Sequence, residues 1–70
     1  PNPTYNVLNF EISDRNVQKI VLFNILGEKV SQITEIRSKF SIDISDLPAG
    51  SYFISFYTQD RVITKKIIKW

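Results

Sequence analysis

The sequence predicts an all-β fold, and three observations carry that prediction. Its apolar residues are dominated by Ile, Val, Phe and Tyr, side chains that fit a pleated, half-buried surface. Apolar and polar residues alternate with a period of two in several short segments. Clusters containing Gly, Pro, Asn, Asp and Ser separate those segments at spacings of about ten residues. Together they point to a small antiparallel β-sandwich of Ig-like kind with six to seven strands. Seventy residues make one domain, 1–70, close to the smallest that a single core holds together unaided. The 43% hydrophobic content lies well above the disordered class. With no cysteine, neither a disulfide framework nor a thiolate metal site is available.

Pro1 and Pro3 fix φ and remove two backbone donors, which suits an extended lead rather than a paired strand. Tyr5 to Ile12 places Leu8, Phe10 and Ile12 on one face against Asn9 and Glu11 on the other. Ser13-Asp14-Arg15-Asn16 reads as a polar turn. Val17 to Leu26 contains the run Ile20-Val21-Leu22-Phe23, too short for a typical helix and suited to a central strand covered on both faces. Gly27 supplies a reversal. Val30 to Ile36 is the return strand, although Val30, Ile33 and Ile36 are also spaced for one helical turn. Arg37-Ser38-Lys39 connects to an alternating strand with Phe40, Ile42 and Ile44 inward. Asp46-Leu47-Pro48-Ala49-Gly50 is a turn, with Leu47 expected to plug the core beneath it. Ser51 to Thr58 sets Tyr52, Ile54 and Phe56 against Phe53, Ser55 and Tyr57, and pairs with Arg61 to Lys69 as a terminal hairpin.

Catalysis finds little support, because the chain has neither His nor Cys and nothing marks a Ser or Thr as activated. Asp43 and Asp46 are too few oxygens for a Ca²⁺ loop and read as turn-closing or solvated carboxylates. Two glycines do not make a phosphate loop. No metal or other cofactor is expected. The net charge of +2 is small but uneven: residues 61–70 hold Arg61, Lys65, Lys66 and Lys69 without an acid, while residues 1–60 hold five bases and seven acids. Phe53 and Tyr57 beside Arg61, Lys65 and Lys66 would suit a single-strand nucleic-acid binder. Such aromatic residues more often serve cross-strand packing, and lysines on a terminal strand also protect an edge from pairing with other chains. The reading therefore excludes nucleic acid as the main partner. No apolar run approaches the roughly twenty residues that span a bilayer, so no direct membrane insertion is expected. An opening at Pro1-Asn2-Pro3, not at Met, reads as a piece of a longer protein.

Three pieces stand in order along the chain: P-N-P-T at Pro1 to Thr4, F-N-I-L-G-E-K-V at Phe23 to Val30, and the stretch from Ser41 to Lys69 that contains L-P-A-G-S-Y and T-K-K-I-I-K. In this order the chain resembles the type A C-terminal sorting domain of the type IX secretion system of Bacteroidota. The residues that carry the resemblance are Pro1, Asn2, Pro3, Asn24, Gly27, Leu47, Pro48, Gly50 and Tyr52, with the closing lysines. Asn24 stands where that family often has Asp, Glu28 where it often has a basic or polar residue, and Trp70 follows the usual terminal lysine. An aromatic ring there would pack back on the final strand, or more chain would follow it.

The resemblance implies a non-catalytic address attached behind an N-terminal cargo domain. The cargo would reach the periplasm by general export, cross the outer membrane through components of the type IX translocon, and be left at the cell surface or in the medium after a surface sortase cuts before or near Pro1. Within that reading the closing hairpin is the expected recognition element. Lys65, Lys66 and Lys69 are its charged contacts, and the backbone of the last strand is a docking edge. A generic β-sandwich binding or adhesion module of a surface protein is the alternative.

Overall fold

Residues 7–12 and 16–70 are described by the computed structural model. They form six strands and no helix: β1 (Val7–Glu11), β2 (Lys19–Asn24), β3 (Lys29–Ile33), β4 (Lys39–Asp43), β5 (Gly50–Tyr57) and β6 (Val62–Lys69). The expected lead at Pro1, Asn2 and Pro3 and the turn at Ser13-Asp14-Arg15 lie outside the described residues. Every strand pairing is antiparallel. One sheet has the order β3-β2-β5-β6, and β1 pairs with β4 in a second.

The period-two patterns place the core between these sheets. Leu8, Ile42 and Ile44 from the small sheet's side meet Ile20, Leu22, Tyr52, Ile54 and Ile67 of the large one, all of them buried. Burying an aliphatic side chain of this size is worth about 1.5–3 kcal/mol, so these contacts are the main favourable term for so short a chain. A radius of gyration of 11.6 Å agrees with the roughly 11 Å of a folded chain of this length.

The run expected to be a central strand is one: β2 lies between β3 and β5, and Val21 is only 3% exposed although it belongs to the outward face. Val30 and Ile33 belong to a strand, not a helical turn, but β3 stops at Ile33 and Ile36 packs on the core from the following connection. The polar pair Glu35 and Arg37, joined by an exposed salt bridge of 3.1 Å, flanks it there.

The far end of the sandwich, away from the β2–β3 turn, is closed by rings. Phe10 stacks on Phe40 with centroids 5.1 Å apart and meets Phe56 edge-on at 6.0 Å. Offset and edge-on pairs of this kind are favoured by the ring quadrupoles.

Candidate functional site

The register of β5 with β6 fixes where each closing lysine stands. Gly50 pairs with Lys69, Tyr52 with Ile67, Phe53 with Lys66 and Ile54 with Lys65. Tyr52 and Ile54 face the core, so Lys65 and Lys69 share the inward face of β6 and Lys66 points outward. Lys65 and Lys66 are both exposed. Lys69 is only 9% exposed, and its Nζ donates to Ser45 O at 3.2 Å and to Leu47 O. The connection between β4 and β5 thus closes over the end of β6 and is tied to it by the Lys69 ammonium. Lys65, four residues back on the same face, stays in solvent. Trp70 is also exposed and does not pack back as a plug.

The motif residues from the middle and the end of the sequence converge at this same end. Asn24 opens a three-residue loop, Ile25-Leu26-Gly27, closed by Asn24 N donating to Glu28 O at 2.9 Å and Gly27 N to Asn24 O at 3.0 Å. The Asn24 side chain organises the loop from within: Oδ1 accepts from Leu26 N and from Glu28 N, each at 3.0 Å, while Nδ2 donates to Glu28 Oε1 at 2.9 Å. Gly27 takes φ +84°, the left-handed position that ends such a hairpin loop. Asn24 and Glu28 are therefore partners. An Asn amide can donate to the Glu28 carboxylate, whereas an Asp there would face it with like charge.

Across a cleft of about 240 Å³ lie Leu47, Pro48, Gly50 and Tyr52. Leu47 is half-buried and packs against the core from its loop, as its lone apolar character suggests. Tyr52, buried near the start of β5, donates its hydroxyl to Pro48 O four residues upstream. Ig-like domains fix a strand corner with the same device. Gly50 has φ +147°, a backbone region that other residues rarely adopt. Asp43 ends β4 by accepting from Ser45 Oγ at 2.7 Å and Ser45 N at 2.9 Å. Those two bonds, with the charge of Lys69, hold its carboxyl below the usual 3.8. The aspartate closes a turn, as one reading of the sequence has it.

Phe53 and Tyr57 stand half-buried on the outward face, where Lys66 accompanies them but Lys65 does not. Tyr57 is covered by Lys19, whose Nζ lies 4.6 Å from the ring centroid. Among the described residues no group of three or more His, Cys, Asp or Glu side chains could hold a metal ion. Sequence reasoning treated the closing lysines as equivalent and overlooked two features. These are the matched pair Asn24 and Glu28, signalled by a donor and an acceptor flanking a Gly turn, and the apolar tip Ile25-Leu26, signalled by two large aliphatics where turns favour small polar residues.

A family model described as the secretion system C-terminal sorting domain matches residues 1–70. Comparison with curated proteins and with solved structures gives no match.

Proposed function

We propose that this chain, which belongs to the family of type IX secretion C-terminal sorting domains, works as the export address of a cargo domain attached ahead of residues 1–70. A sorting signal of this family directs its bearer to the cell surface or the medium, and the family is in general non-catalytic. On our reading the cargo waits in the periplasm, the folded domain engages the outer-membrane translocon, and a surface sortase then cuts ahead of it.

The observation that supports the reading is the difference in exposure among the closing lysines. Lys65 and Lys66 stand exposed at successive positions on opposite faces of β6, at the edge of the described four-stranded sheet, on a strand without a carboxylate. They are the charged groups a receptor meets there. Lys69 serves the same surface indirectly, by tying the end of β6 to the loop that carries Leu47 and Pro48. Asn24, Gly27, Leu47, Pro48, Gly50 and Tyr52 act by shaping that end, and Pro1, Asn2 and Pro3 lie where the address joins its cargo.

The test is a periplasm-targeted fluorescent reporter fused ahead of residues 1–70, expressed in a type IX-competent bacterium and in a translocon-null strain. Translocon-dependent reporter outside the cell is expected. Retention in both strains would overturn the reading and favour a β-sandwich binding module.

A further inference from the structure

Ile25 and Leu26 are 69% and 81% exposed, more than any other large apolar side chain among the described residues. The turn does not require them. Its geometry comes from Asn24, whose side chain binds Leu26 N and Glu28 N, and from Gly27 at φ +84°. Small polar residues suit the two central positions at least as well, and they keep apolar surface out of water. Two aliphatics thus project from the tip of a tightly tied loop, where they give the core nothing. Beside them opens the apolar-rimmed cleft toward Pro48. A rigid tip of this sort loses little entropy on docking, which is the property of a binding anchor.

We infer that Ile25 and Leu26 form a knob that inserts into an apolar pocket on a protein of the export machinery. This rests on the sorting reading above and extends it from the lysines of β6 to a second contact at the motif end. Size and charge select this occupant over two others. A two-residue tip falls far short of the roughly 800 Å² per partner that a stable dimer buries, so a second copy of this chain is a poor fit. Glu28, exposed directly after the loop, offsets the neighbouring Lys29, leaving no net positive charge to grip an anionic lipid surface. A concave pocket that swallows two aliphatic side chains needs neither a large area nor net charge.

The experiment compares reporters fused to the wild-type domain, to the Ile25→Ser/Leu26→Asn variant and to the conservative Ile25→Leu/Leu26→Ile variant, with unfolding of each purified domain measured in parallel. The inference predicts at least a ten-fold loss of export for the polar variant at an unchanged melting temperature, and near-normal export for the conservative one. Wild-type-like export of the polar variant would overturn the knob while leaving the sorting function standing. Failure of the wild-type domain itself to export would overturn both. If the polar substitutions lower the melting temperature, the milder Leu26→Thr replaces them and must still reduce export by several-fold. Sedimentation of the wild-type domain as a dimer, or its binding to phosphatidylethanolamine–phosphatidylglycerol vesicles, abolished by the polar variant in either case, would assign the tip to those occupants and overturn the inference.

Discussion

The two ends of the sandwich are held by different kinds of force. At the far end Phe10, Phe40 and Phe56 pack as rings, an arrangement that depends on volume and shape and admits substitutions of similar size. At the motif end the turn of Asn24, the hydroxyl of Tyr52 and the ammonium of Lys69 each bind a backbone group of a neighbouring segment. A directional bond between one side chain and one backbone N–H or carbonyl admits few alternative residues. The end where Asn24, Tyr52 and Lys69 meet is therefore the end where chemistry, more than volume, defines the shape.

Gly50→Val is the most severe way to break the motif end. A side chain added there meets open space, so the penalty is backbone strain at φ +147° and not a clash. Such strain costs about 1–3 kcal/mol, against roughly 4–10 kcal/mol of total stability for a domain this small. A drop of about 10 °C or more in melting temperature, or failure to fold, is expected. An unchanged melting curve would remove the turn from the account.

Lys69→Met comes next. It deletes two charge-assisted bonds to carbonyls and should cost about 2 kcal/mol in denaturant unfolding, whereas Lys65→Met on the same strand face should stay within about 0.5 kcal/mol. Equal effects would erase the distinction between the two lysines.

Asn24→Asp keeps the two acceptors of the loop but sets a carboxylate against Glu28, for an expected loss of about 1 kcal/mol. Adding Glu28→Lys should recover it, and a double-mutant cycle showing no coupling would contradict the pairing.

The smallest effect belongs to Asp43. Its folded-state pKa is lowered, first by the hydroxyl and amide of Ser45 and then by Lys69. Its contribution is therefore fully present above the unfolded value and is lost as pH falls through the lower folded one. Asp43→Asn should lower stability slightly at neutral pH, flatten the acid limb of the stability profile, and match the wild type once pH has fallen below the folded-state value.

Much of this was legible in the chain. Period two located the strands of Leu8, Ile42 and Tyr52, the short aliphatic run at Ile20 marked the central strand, and both glycines fall where the backbone takes positive φ. The length of β3 was less legible, since the spacing of Val30, Ile33 and Ile36 fits two periods and only the core decides which side chains it takes in. Burial of Lys69 was not legible at all. The segment V-I-T-K-K-I-I-K breaks strict alternation, so no parity tells which lysine turns inward. Inwardness alone does not bury it either: Lys65 has the same parity and stays in water. The deciding fact is a loop some twenty residues earlier folding over the end of the strand, a contact of tertiary origin.

We propose that the exposed lysines of β6 address the translocon while the buried one holds the shape. Export of the reporter bearing Lys65→Gln/Lys66→Gln, measured together with the unfolding of the purified domain, tests it most directly. A folded domain of unchanged stability whose export collapses is expected. Normal export of that variant would contradict it.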